Sequence, residues 1–258
     1  MAPLERTWAA TRRRRRASRA LLVSVMATQV VYPYLPERWR VRATRCVVGL
    51  MLAASTAEAV EARGGVRGTT LVGSAGAVGF AAELLGVATG RPFGHYSYSE
   101  KLGPQVRGVP LLAAAAWAMM ARPAWVAAGL VSRRAAVRVP LAACALAAWD
   151  LFLDPRMVRE GYWHWPDGGR YEGVPASNFA GWAGVAATAF ALWAVIDPDD
   201  DPALDGDGAL ALYLWTWVGE TFANAVIWRR PRVAVAGGLG MGAFAVPALI
   251  GRRRRARR

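Results

Sequence analysis

The sequence predicts an all-α, polytopic integral membrane protein, a bundle of about seven to eight transmembrane helices, and three observations predict it. Of 258 residues, 55% are hydrophobic and only 19% charged, whereas a soluble domain carries about a quarter of its residues charged; mean hydropathy is +0.21. The net charge of +14 is concentrated at the ends, in Arg6, Arg12 to Arg16 and Arg19 against Glu5, and again in Arg252 to Arg255, Arg257 and Arg258. Between those tails lies a nearly neutral stretch whose apolar residues come in runs close to the roughly 20 that a bilayer requires. The organisation expected is a basic cytoplasmic tail over 1–19, one transmembrane domain over 20–250 and a second basic tail over 251–258.

Eight segments are candidate spans, in order Ala20–Leu35, Ala43–Ala62, Thr69–Thr89, Val109–Val131, Val137–Leu153, Val174–Ile196, Ala209–Trp228 and Val233–Ile250. The first follows a basic stretch as a signal peptide would. Tyr32-Pro33-Tyr34 ends it without a small-residue cleavage site, so it reads as a retained helix. The fourth contains Arg122-Pro123 and reads as either one kinked helix or a short helix plus a re-entrant piece. The fifth is short, and the Gly-rich eighth is the weakest. Eight crossings put both Arg-rich ends on the cytoplasmic side, as the positive-inside rule expects. Arg229, Arg230 and Arg232 favour the opposite sidedness for their own loop, so the topology of the C-terminal half stays open. Cys46 and Cys144 sit in apolar runs and read as buried structural thiols.

Several function classes are disfavoured. The basic tails come with no zinc spacing, RNA-binding signature or helix-turn-helix pattern, so no nucleic-acid partner is expected. Two distant histidines without metal-ligand spacing make a poor transition-metal site. The acidic run from Asp197 to Gly208 lacks the register and terminal Glu of a calcium loop, and reads as a solvated loop. No Walker loop or strand-linked GxGxxG is present.

The informative residues are the polar groups that lipid tolerates poorly. A carboxylate near the bilayer centre tends to face a cavity or a partner. Glu58, Glu61, Glu83, Asp150, Asp154 and Glu220 all fall in or at the ends of apolar segments, with Asn178 opening the sixth and Asn224 four residues after Glu220. Asp150 and Asp154 are four apart and stack on one helix face. Two acids so close in an apolar setting hold their protons unequally, which supplies a donor beside an acceptor; the plainer alternative is that Asp154, before Pro155, only ends its helix. Glu83 could instead pair with Arg91 or Arg107. His95 could exchange a proton near neutral pH or be merely structural. Two loops, 90–108 and 154–173, are dense in rings beside polar groups, where an interfacial aromatic belt would explain the rings alone.

These pieces form an ordered pattern. Its first block is Glu83-Leu84-Leu85-Gly86 with Thr89-Gly90, then Pro92-Phe93-Gly94-His95-Tyr96-Ser97-Tyr98, Leu102-Gly103, Gly108-Val109-Pro110 and Trp117. Its second is Trp149-Asp150, Leu153-Asp154-Pro155, Met157, Gly161-Tyr162-Trp163, Trp165, Tyr171, Gly173-Val174-Pro175, Asn178-Phe179 and Gly181-Trp182. Over roughly Gly79 to Trp182 the chain resembles the CruF-type carotenoid 1,2-hydratase family, which includes the bisanhydrobacterioruberin hydratases. The resemblance implies a membrane enzyme of the bacterial cell membrane that adds water to the terminal double bond of an acyclic carotenoid and gives a tertiary alcohol. It implies no cofactor, since hydration moves no electrons. Its partners would be the acyclic carotenoid, membrane lipid and other enzymes of carotenoid biosynthesis. On this reading Glu83, Asp150 and Asp154 form the acid/base set with individual roles open. His95 and Asn178 position water or a carboxylate, and Tyr96, Tyr98, Trp117, Trp149 and Trp182 line the polyene end. The competing readings are an end-group isomerase or cyclase, a transporter, and a non-catalytic scaffold.

Overall fold

Apolar runs in a bilayer must satisfy their backbone groups internally, which leaves helices as the only economical solution for this chain. The structure, a computed structural model, describes residues 3–198 and 207–257, with side chains from Arg16 onward. Among the described residues eight α-helices follow one another: α1 (Pro3–Val31), α2 (Glu37–Arg63), α3 (Gly65–Thr89), α4 (Leu111–Val131), α5 (Ala135–Arg159), α6 (Ala176–Ile196), α7 (Asp207–Phe222) and α8 (Pro231–Ala256). Six of them, α2 to α6 and α8, are long and apolar enough to cross a membrane. The other two expected spans are helical but fall short of that: the apolar half of α1 is brief, and α7 has 16 residues followed by a π-helical turn over Ala223–Ile227. The side chains of Arg6 and Arg12 to Arg15, the acids of 199–206 and Arg258 lie outside the described residues.

Four differences from the sequence reading have physical causes. Helix α4 runs unbroken through Pro123, which excludes the re-entrant piece. Helix α5 does not end at Asp154 but continues through Pro155 to Arg159. Proline brings no N–H for the carbonyl four residues back, and the hydroxyl of Tyr171 donates to that Leu151 carbonyl at 2.8 Å instead. The fourth and sixth helices start later than expected, because Pro110 and Pro175 hold extended backbone just before them. Cys46 and Cys144 are exposed: in a bundle with an apolar exterior, an apolar run marks the outer face as readily as the core.

Polar contacts sort the helix ends. At one end Ser18 donates to Glu61, Arg63 and Arg67 pair with Asp197, and Arg255 donates to the Gly129 carbonyl, so the C-terminal basic stretch lies beside the ends of α2, α4 and α6. At the other end Tyr32, just past α1, bonds Thr44 near the start of α2, and Thr44 bonds Tyr162 of the loop after α5. Two loops dominate this second end and are tied together. Strand β1 (Ser97–Tyr98) pairs antiparallel with β4 (Trp163–His164), placing Tyr98 opposite Trp163. Between them in sequence, β2 (Gln105–Val106) and β3 (Val109–Pro110) form a hairpin. Its turn residues Arg107 and Gly108 both have positive φ, as a two-residue hairpin turn of this hand requires. Helix α4 is the centre of the bundle, 72% of its apolar window being buried. Helix α3 approaches it through Gly79, where an added Cβ would run into the Trp117 ring. Small residues let membrane helices pack this closely.

Candidate active site

The site lies at the loop-covered end, built from the last turns of α3 and α5, the first turns of α4 and α6, and the paired loops. The i, i+4 spacing on α5 turns Asp150 and Asp154 the same way, toward Asn178 in the first turn of α6. Asn178 Nδ2 donates to Asp150 Oδ2 at 2.8 Å and also to Asp154 Oδ2. One amide group therefore serves two carboxyls. Trp163 Nε1 donates to Asp154 Oδ1 at 3.1 Å, so the pairing of β4 with β1 fixes a ring over the acid. All three polar residues are buried.

Glu83, in the penultimate turn of α3, is buried against the other wall. Tyr96 and Tyr98 donate to its Oε2, the latter at 2.8 Å, and Trp117 Nε1 donates to Oε1 at 3.0 Å. It is the pattern of an acceptor-only carboxylate. Burial, and then the negative charge of Glu83, push the Tyr96 and Tyr98 phenols above their ordinary values, so both stay protonated donors. Gly86 makes room for this: a Cβ there would stand 2.7 Å from the Phe93 ring and 2.8 Å from the Tyr96 hydroxyl.

A cavity of about 70 Å³ separates the two acid groups, and its walls include Glu83, Asp154, Asn178, Tyr96, Tyr98, Trp117 and Trp182. Trp117 and Trp182 stack with centroids 3.8 Å apart and planes within 12°, presenting a double indole wall. Asp150 stands behind Asp154 and does not line the cavity. Trp149 also stands off, its ring edge-on to Trp182 at 6.1 Å. His95 is the sequence candidate that the fold does not bring in: it is exposed, its ring packed over Gly90. Arg91 and Arg107 are exposed as well, so Glu83 is held by rings and not by an arginine. Sequence reasoning missed Phe93, Trp163, Trp165, Thr44, Leu153 and Met157, all in the cavity wall. The ring-dense loops could have signalled the first three; Thr44, from a distant helix, carried no local signal.

Among the described residues, the acids held inside the bundle thus fall into two groups. Glu58 is ion-paired with Arg122 at 2.8 Å in a buried contact, Glu220 faces Arg156 at 3.7 Å, and Asp197 meets Arg63 and Arg67. Glu83, Asp150 and Asp154 form no ion pair with a basic side chain among the described residues; their donors are phenols, indoles and one amide. Among the described residues no group of three His, Cys, Asp or Glu side chains converges as metal ligands would.

Comparison with known proteins follows the same lines. The model of a family described as "Carotenoid biosynthesis protein" matches residues 39–244. A bisanhydrobacterioruberin hydratase of Haloarcula japonica is 35% identical over 105 residues, covering 39% of this chain and 36% of that protein. The matched stretch is thus little more than a third of the relative's length. No solved structure matches the chain.

Proposed function

We propose that this chain, which belongs to the carotenoid biosynthesis protein family, adds water across the terminal 1,2 double bond of an acyclic carotenoid to give a tertiary alcohol. The observation that carries this reading is the pair of acid groups facing each other across a small aromatic-walled cavity: Asp154, backed by Asp150 and bridged by Asn178, opposite Glu83 held by three ring donors. The similarity to a protein named a hydratase supports it.

The chemistry asks for a proton, a place for positive charge and a water. Asp154 gives its proton: its O–H bond breaks and a C–H bond forms at the less substituted alkene carbon. The tertiary cation left on the neighbouring carbon lies between the Glu83 carboxylate and the stacked faces of Trp117 and Trp182, both of which favour positive charge. A water oxygen then bonds to that carbon. Asp154, now a carboxylate beside Asp150 and sharing the Asn178 amide with it, takes back a proton from the added water and is reset. The sum is one H and one OH added across C=C, with no change in electron count. Glu83 stays an acceptor throughout, and Asp150 and Asn178 position Asp154. The cell membrane of a bacterium is the compartment we propose, with lipid around the bundle and other enzymes of carotenoid biosynthesis beside it.

The test is mass spectrometry of pigments from a lycopene-producing host with and without the chain, grown in isotopically heavy water. A gain of one water per modified end, its oxygen labelled from solvent, is expected. A new pigment of unchanged mass would replace hydration by isomerisation or cyclisation, and no new pigment from lycopene or a longer acyclic carotenoid would remove the enzyme reading.

A further inference from the structure

The cavity between the acids is too small for the substrate it serves. At about 70 Å³ it has less than half the volume of the ~150 Å³ void that takes benzene. It admits the tip of an isoprenoid chain, and the body of a carotenoid must lie elsewhere. A second cavity of about 240 Å³ adjoins it, and the two share Thr44, Val48, Met119, Leu153 and Met157 as common wall. By the same ratio it holds roughly ten carbons, two isoprene units.

Its lining suits a polyene. Trp149, Phe152, Trp215 and Trp228 supply flat apolar faces. Trp149, which the first cavity leaves aside, has its place here, between the two chambers. The arginine in this lining, Arg156, is covered: it lies 4.3 Å from the Tyr32 ring centroid and 4.4 Å from that of Trp228, and is ion-paired with Glu160 and Glu220. The partition includes two methionines, Met119 and Met157, whose unbranched side chains rearrange more readily than aromatic ones. On its far side the cavity is rimmed by Val30 at the end of α1, Tyr34 just beyond it, and Phe222 at the end of α7, which are 56%, 74% and 57% exposed. An opening between two helix ends on the apolar outer face is where a hydrocarbon dissolved in the bilayer would come in.

We infer that this second cavity seats the polyene body, taken up from the membrane between α1 and α7 and passed by Met119, Leu153 and Met157 so that its tip reaches Asp154. This rests on the hydratase reading for the identity of the ligand, and the test separates the two. Gly219 lines the cavity, and a Cβ there would meet nothing closer than Trp215 at 3.9 Å, so the cavity can be filled from that position without a backbone clash.

The experiment titrates lycopene into the purified chain in lipid nanodiscs and follows quenching of tryptophan fluorescence, since Trp149, Trp215 and Trp228 line the seat. Wild type, Gly219→Phe, Val47→Phe from the facing α2 wall and Asp154→Asn are compared, and hydrated product is measured in parallel. We expect lycopene to bind at least tenfold more weakly to each filling variant and within twofold of wild type to Asp154→Asn. Should Gly219→Phe fail to yield monodisperse protein, Val47→Phe decides. Unchanged binding and unchanged hydration in the filling variants would overturn the seat and leave the hydratase standing. Weakened binding in those variants with no hydrated product from the wild type, given lycopene or a longer acyclic carotenoid, supports the seat and removes the hydratase reading. A wild-type chain that binds no lycopene overturns the proposal outright.

Discussion

Asp154→Asn and Asp150→Asn are nearly isosteric changes one helical turn apart, and the structure assigns them unequal consequences. Asp154 lines the cavity and is held from both sides, by Asn178 at Oδ2 and by Trp163 at Oδ1. Its amide counterpart fills the same space, accepts at one oxygen only and so keeps one of those two hydrogen bonds, and it cannot donate a proton to carbon. A general acid contributes ~10²- to 10⁴-fold, so Asp154→Asn should lower the hydration rate by that factor, about 3–5 kcal/mol of barrier. Asp150 touches the reacting space only through Asn178 and its neighbour. An asparagine oxygen at 150 still accepts from Asn178, so what disappears is the second acid behind Asp154. The expected loss is about tenfold, near 1.4 kcal/mol. The assay is the initial rate of alcohol formation in isolated membranes, normalised to the yield of detergent-solubilised monodisperse protein. If Asp150→Asn loses as much as Asp154→Asn at equal yield, the donor is not Asp154 and the division of roles fails.

Further expectations concern the supports of the site. Tyr98→Phe removes one hydrogen bond to a charged acceptor, which should cost ~1.5–3 kcal/mol of stability, read as a lowered unfolding temperature, and should slow hydration per folded molecule as well; unchanged turnover would show that this phenol does not hold Glu83 for the reaction. Gly86→Ala places a methyl 2.7 Å from Phe93 and 2.8 Å from the Tyr96 hydroxyl; activity should fall while the protein still folds, and normal activity would show that the Tyr96–Glu83 contact is dispensable. Tyr171→Phe leaves the Leu151 carbonyl without its donor beside Pro155, which should cost about 1–3 kcal/mol, read as a lowered unfolding temperature. The Tyr171 phenol is pushed up to about 12 by burial and then by Glu172, so this donor should persist to pH 10, and a loss of stability below that pH through Tyr171 would contradict it. Arg122→Met breaks the buried pair with Glu58 and should destabilise by about 3–5 kcal/mol; unfolding measurements on this variant and on the double change with Glu58→Leu, which should recover much of the loss, check that these acids are structural.

What the sequence made legible was set by local rules. The spans were readable because a bilayer demands long apolar runs, and Asp150 with Asp154 because a helix fixes the direction of residues four apart. Asn178 and Trp182 were reachable through the ordered motif. Other features needed the fold. Whether Glu83 meets an arginine or a ring depends on how the 90–110 loop turns back over α3, and no periodicity encodes that. His95 read as either a site residue or a structural one, beside Tyr96 as a wall of the polyene end. One residue of displacement in an irregular loop sends the tyrosine to Glu83 and the histidine to Gly90. Pro155 read as a helix stop because its compensating donor, Tyr171, is 16 positions further on and comes back only through the loop. The cysteines were misread because hydropathy reports apolar surroundings and cannot tell lipid from core.

The choice of neutral donors over cations around three buried carboxyls bears on the reaction itself. A guanidinium would hold a buried carboxylate more strongly than a phenol does, and the chain uses it elsewhere, at Glu58 and Asp197. Near the reacting carbon it would also repel the developing cation. Two unit charges 4 Å apart interact by about 4 kcal/mol at an effective dielectric of 20, enough to erase nearly three factors of ten in rate. Phenol and indole groups satisfy the same oxygens while adding no net charge, and their ring faces attract positive charge. A site that makes a carbocation therefore needs its acids satisfied by neutral donors. Among the described residues, the buried acids without an arginine are the ones that Tyr96, Tyr98, Trp117, Trp163 and Asn178 surround. The same reasoning predicts that Trp117→Arg, which would offer Glu83 a stronger partner, abolishes hydration even where the protein folds and binds lycopene; retained turnover in that variant would mean that no cation forms at this wall.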